Sequence, residues 1–181
     1  MPEAAAHTQI EPGPAWTLVE LLGSRDAAER TAAVARLRAL GRSAAPALER
    51  GLAGHARDNV RRWCAQLLSE YGRHGSACAI VGATHDRVAA VRLLALQALA
   101  DPVRSEEFGL DPLPHLVRLA RYDRSKRVRG AALRALTLRL PDARAVGALA
   151  AAAADPRTDG ELRRTCLRAL DEAAYAVPAA H

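Results

Sequence analysis

The chain has 181 residues and a formal net charge of +6, made by 25 Arg and one Lys against 20 Asp and Glu. Its apolar half is 42 Ala and 25 Leu, with two Ile, one Phe and one Met. Ala and Leu favour helix while strands draw on β-branched and aromatic side chains, so the composition excludes an all-β fold and leaves no strand-like runs for a doubly wound sheet.

In chain order, residues 1–14, with three Pro, read as a mobile tail, 15–176 as one folded domain and 177–181 as a second short tail. Within the domain two kinds of apolar segment alternate. The weaker kind covers 15–22, 44–53, 76–83, 112–121 and 142–154; Pro46 and Pro114 fall in a first turn, where a missing amide costs little. The stronger kind aligns without gaps as Glu29–Leu37, Val60–Leu68, Val91–Leu99, Val128–Leu136 and Leu162–Leu170, with starts 31, 31, 37 and 34 residues apart. The second column is Arg in all five copies (Arg30, Arg61, Arg92, Arg129, Arg163), and the last is Leu in all five (Leu37, Leu68, Leu99, Leu136, Leu170). At about 100° per residue, offsets 0, 4, 7, 8 and 11 share one arc of a helix and offsets 2, 6, 9 and 13 lie opposite. Gly41 and Gly72 suit left-handed caps after the first two of these helices. Asp or Ser in the turn before each helix suits the free amides of its first turn. The unit is therefore helix, turn, helix. One pair cannot bury its apolar face, but a stack of five can, and the reading is an all-α solenoid.

The stretches Asp26-Ala-Ala-Glu-Arg, Arg57-Asp-Asn-Val-Arg-Arg and Asp159-Gly-Glu-Leu-Arg-Arg resemble the second helix of HEAT repeats, in particular the short bacterial PBS-lyase-like HEAT repeats. The resemblance covers about residues 15–176 and implies a stack whose second helices line the concave face. Two departures stand out. Glu29 replaces the usual Val in the first repeat, and the third ends in Asp101-Pro102 instead of Gly.

No arrangement for catalysis is visible. The six His (7, 55, 74, 85, 115, 181) are scattered without a His-Glu pair, and Gly-x-Ser-x-Gly, phosphate-loop and Cys-x-x-Cys patterns are missing. No metal ligand set, cofactor or catalytic residue is assigned. Cys64 and Cys166, at offset four, and Cys78, in a first helix, read as small packed residues; three Cys without motif spacing point to a reducing cytoplasm. No run of about 18 apolar residues is present to span a membrane, and no basic-then-apolar leader opens the sequence. The invariant Arg column lies at the edge of the buried arc, where it reads as structural stacking between repeats.

The opposite arc carries the candidate binding site. Offsets two and six place Arg62, Gln66, Gln97, Arg134, Arg164 and Arg168 on one side, a set of long cationic and amide arms suited to forked contacts with carboxylates or phosphates. A secondary basic patch, Arg118, Arg121, Arg124, Lys126 and Arg127, runs through the turn of the fourth repeat with only Asp123 opposing it. Tyr122 is the one aromatic beside it, which speaks against base stacking on single strands. The segment 101–111 accounts for the long third period and reads as an inserted loop, with Phe108 plugging the irregular junction.

The favoured function is a non-catalytic scaffold whose concave face binds an acidic protein or peptide. The alternative, less favoured, is a DNA-binding solenoid resembling the alkylation-repair DNA glycosylases, with Trp63 as the concave aromatic. A chromophore lyase or its chaperone is suggested by the family label alone. A high Arg count also follows from GC-rich codons, so the position of each charge matters more than its number.

Overall fold

The computed structural model describes residues 13–71 and 74–176. The tail residues 1–12 and 177–181, and Gly72 as a cap, lie outside them. Among the described residues there are eleven α-helices and no strand. Five antiparallel pairs follow one another: α1 (Pro14–Leu21) with α2 (Ala27–Leu40), α3 (Ala45–Gly54) with α4 (Asp58–Glu70), α5 (Ala77–Ala83) with α6 (Ala89–Ala100), α8 (Leu113–Tyr122) with α9 (Lys126–Thr137), and α10 (Ala143–Ala154) with α11 (Gly160–Ala176). The second helices α4, α6, α9 and α11 pack each on the next, and the first helices do so as α1–α3–α5 and α8–α10.

The segment read as a loop after the third repeat is instead a helix, α7 (Pro102–Phe108). Proline disfavours helical backbone in the residue before it, so α6 stops at Asp101. The freed Asp101 carboxylate then accepts from the amides of Val103 (2.9 Å) and Arg104 (3.3 Å) and opens α7. Gly109, in the left-handed region at φ 63°, closes it. Phe108 is buried and fills the junction, as its sequence position suggested.

The invariant Leu column forms the spine of the core, with one exception. Leu37, Leu68, Leu99 and Leu136 are fully buried, whereas Leu170 is only half-buried, because α11 is the last helix of the stack. The opposite end shows the same economy: Glu29, where the inner repeats bury Val60, Val91 and Val128, is exposed and accepts a 2.5 Å hydrogen bond from the Ser24 hydroxyl. Cys64 and Cys166 are buried, and burial pushes the Cys64 thiol up to about 12. Cys78, expected to pack, is exposed: α5 turns Ile80 and Ala83 inward, and Cys78 falls on the other side of its short cylinder. A Cβ on Gly51 would lie 2.7 Å from Cys64 Sγ and 2.9 Å from Val19 Cγ1, so the close approach of α3 to α4 and α1 requires glycine there. Gly41 ends α2 with φ 53° and ψ −129°, a positive-φ conformation outside the left-handed helical cap the sequence suggested.

Candidate partner-binding site

The site is framed by the turns between the helices of each pair, and these are held by the invariant Arg column. Arg30 Nη1 donates to the carbonyls of Ser24 and Arg25, Arg61 Nη1 to those of His55 and Ala56, and Arg92 Nη1 to those of Asp86 and Arg87. Arg129 Nη1 donates to Asp123 O at 2.8 Å, and Arg163 Nη2 to Asp155 O and Thr158 O. Each arginine thus reaches back over the turn that precedes its own helix.

In the middle of the stack the same arginines also grip the next repeat. Arg61 binds the Asp86 carboxylate through Nε (2.6 Å) and Nη2 (3.1 Å), and Arg92 binds that of Asp123 at 2.7 and 2.8 Å. Asp86 and Asp123 also accept from the amides of Val88 and Ser125. Turn, carboxylate and guanidinium therefore alternate from the second repeat to the fourth in a ladder whose arginines are about 5 % exposed. Burial by itself pushes both carboxyls up, but the facing guanidinium and the capping amide outweigh it, and both sit below the ordinary carboxylate range.

Of the six residues chosen from the sequence, three come together. Arg62, Gln66 and Gln97 line one groove of about 700 Å3 that crosses α4, α6 and the start of α9. Its floor is apolar, formed by Trp63, Leu93, Leu94 and Val128, and Arg127 joins the rim. Gln66 is half-buried and lies 3.5 Å from Glu70, which is itself forked by Arg38 at 2.9 and 2.8 Å. Arg134, Arg164 and Arg168 are exposed further along the second helices. Arg168 lines a separate groove with Leu138, Leu140 and Glu172, and Arg134 and Arg164 line neither. The side chains of Arg62, Arg134, Arg164 and Arg168 have no hydrogen-bond or ion-pair partner among the described residues. Gly130, at offset two, is buried near Leu162 and interrupts the exposed row.

The basic run of the fourth repeat does not form one patch. Arg118 is half-buried and donates from Nη2 to Thr84 Oγ1 (2.8 Å) and Thr84 O (3.1 Å), tying α8 to the end of α5; burial pushes its pKa down. Arg124 donates to the Arg87 carbonyl. Arg121 lies over its neighbour Tyr122 at 5.4 Å, and with Lys126 it lines a groove between the fourth and fifth repeats. Arg127 points the other way, into the groove over α4 and α6. The turn spreads these side chains over several surfaces, because consecutive residues at a helix start radiate around its axis.

Sequence reasoning did not single out Arg127 or Leu94 as walls of the first groove. It also missed what happens six residues before each invariant arginine, where the chain reads Ser24, His55, Asp86, Asp123 and Arg157. That column was visible in the alignment, but only the ladder shows why it matters. Among the described residues no three His, Cys, Asp or Glu side chains gather in a way that could hold a metal ion, and no helix is long and apolar enough to cross a membrane.

This stack of helix pairs defines an all-α helical-repeat fold. Among solved structures it is similar to the complex of CpcE and CpcF of phycocyanin lyase from Nostoc sp. PCC7120, with TM-score 0.66 and 19 % identity over 86 % of this chain and 96 % of that one. It is also similar to an engineered protein from the Northeast Structural Genomics Consortium, with TM-score 0.51 and 21 % identity over 88 % of this chain and 79 % of that one. Likeness at these identities establishes the fold alone. No protein-family model and no curated protein matches the sequence.

Proposed function

We propose that the chain is a non-catalytic scaffold of the cytoplasm that binds an acidic protein or peptide segment on the face made by its second helices. One observation carries this reading: the groove over α4, α6 and α9 sets Arg62 and Arg127, with the amides of Gln66 and Gln97, around an apolar floor of Trp63, Leu93 and Val128. Cations on an apolar floor suit a segment that seats an aliphatic or aromatic side chain beside its carboxylates. Duplex DNA instead needs cations strung along a phosphate track and has little use for such a floor, which is why the DNA reading ranks second. Arg134, Arg164 and Arg168 extend the cationic face toward the C-terminal end. That the CpcE–CpcF neighbour works as two chains in a complex is in keeping with a protein partner. The non-catalytic part of the reading rests on scattered His residues and on a buried Cys64 whose thiol is held protonated.

The test is affinity capture at low and moderate salt, with and without nuclease, followed by binding measurements on the recovered partner. An acidic protein recovered in both conditions, bound at least ten-fold more weakly by the Arg62→Gln, Gln97→Ala double variant with an unchanged melting temperature, is the expected result. Nuclease-sensitive DNA as the only retained material would turn the assignment to the second reading. The Arg134→Gln, Arg168→Gln pair measures how far along the stack the partner extends, with a ten-fold loss expected.

A further inference from the structure

The ladder that ties the repeats together is open at its first and last junctions, and at the last the open side is a groove. Arg61 and Arg92 each hold a carboxylate from the following repeat, supplied by the residue six places before the next invariant arginine. Arg129 comes next in the series, but the turn of the fifth repeat is two residues longer: Asp155, eight places before Arg163, accepts from the amide two residues on and offers its carbonyl to the invariant arginine as Asp86 and Asp123 do, yet forms no ion pair with Arg129. The Arg129 side chain makes a single hydrogen bond among the described residues, from Nη1 to Asp123 O, so its Nε and Nη2, the pair that forks the carboxylate in the other two rungs, have no partner there. Beside this open edge there is a groove of about 680 Å3 between the fourth and fifth repeats. Arg129, Arg157, Arg121 and Lys126 line it, and Leu133 and Leu162 supply apolar wall.

The groove also contains acids, none of which forms an ion pair with Arg129. Asp123 is held by Arg92. Asp155 accepts from the Arg157 amide and Asp159 from the Leu162 amide, each capping its own turn, and neither forms an ion pair. With the Asp123–Arg92 pair neutral, four cations face two carboxylates.

We infer that this groove is a second binding site, in which an acidic side chain of a protein segment completes the open rung by forking Arg129 with support from Arg157. The occupant is argued from charge complementarity and from the two completed rungs, which show the carboxylate geometry this arginine column accepts. The inference shares only its ligand class with the reading above: its residues lie at the turns, not on the second-helix face, so either can fail alone.

The test uses the full chain and a fluorescein-labelled peptide of alternating glutamate and leucine, read by fluorescence anisotropy. Binding at moderate salt is expected, at least ten-fold weaker for the glutamine counterpart and for Arg129→Gln and Arg157→Gln, with Arg129→Lys recovering only part because a single ammonium cannot fork. Asp155→Asn, which removes a competing charge, should leave binding equal or tighter. The Arg62→Gln, Gln97→Ala variant separates the two sites: a loss confined to it removes the turn groove and keeps the second-helix face. Equal binding of the glutamine peptide, or no effect of Arg129→Gln, overturns the inference. So does displacement by succinate at the peptide's own concentration, which would make the ligand a free small carboxylate. A further overturning result is a drop in melting temperature for Asp155→Asn that vanishes in the Arg129→Gln background, since Asp155 would then itself be the rung.

Discussion

The junction between the third and fourth repeats and that between the fourth and fifth use the same arginine column for different ends. At the former, Arg92 forks Asp123 with both groups nearly excluded from solvent. At the latter, the Arg129 side chain holds only its own turn and faces an open groove that Asp155 lines without pairing to it. The turns separate the two outcomes: Asp123 stands six places before Arg129 and is forked by Arg92, whereas its counterpart Asp155 stands eight places before Arg163, in a turn two residues longer, and forms no ion pair. A repeat protein is nearly a sum of units and nearest-neighbour interfaces, so one interface can be opened without unmaking the others. Here the two middle junctions are closed by ion pairs, and the one between the fourth and fifth repeats is left available.

The largest effect expected from breaking this contrast is at the closed rung. Arg92→Met leaves the Asp123 carboxylate buried without its counter-charge and should cost about 3–5 kcal/mol in urea unfolding. A loss below about 1 kcal/mol would mean that solvent reaches the rung. The Leu column sharpens the comparison next: Leu99→Ala, in the buried middle, should cost about 2–5 kcal/mol, whereas Leu170→Ala, half-buried at the end, should cost about 1 kcal/mol or less.

Acid should separate the regions as well. The folded-state carboxyls of Asp86 and Asp123 lie below their ordinary value, so their contribution is complete above an unfolded pKa of about 3.9 and is lost as pH falls through the lower folded values. Stability measured by urea unfolding should therefore decline as pH falls below about 4, with a slope of at most about 1.4 kcal/mol per pH unit for each group. Asp123→Asn should flatten that decline. The smallest effect is expected at the open rung, where Arg129→Gln removes one hydrogen bond to a backbone carbonyl and should cost about 0.5–1.5 kcal/mol. A cost equal to that of Arg92→Met would erase the difference between the two junctions.

The periodic part of this protein was legible without coordinates. Apolar spacing assigned both helices of every pair to within a few residues, because burying a stripe of Leu and Ala is what makes a short helix stable, and the stripe is written in the sequence. The Arg and Leu columns, the polar character of Glu29 and the role of Phe108 followed from the same alignment. What escaped were features set by how one repeat sits on the next. The helical state of Pro102–Phe108 depends on Asp101 serving two helices. The exposure of Cys78 and the burial of Arg118 depend on which side of α5 and α8 meets a neighbour.

The candidate site divides along the same line. The sequence by itself determined which helix offsets point away from the core, so Arg62, Gln66 and Gln97 could be grouped, since rotation per residue is a local property. Only the tertiary structure decided that those three share a groove with Arg127, that Arg168 lines another, and that Arg129 has a free edge where Arg61 and Arg92 do not. These depend on the distance between side chains a full repeat apart, fixed by the packing of whole helices.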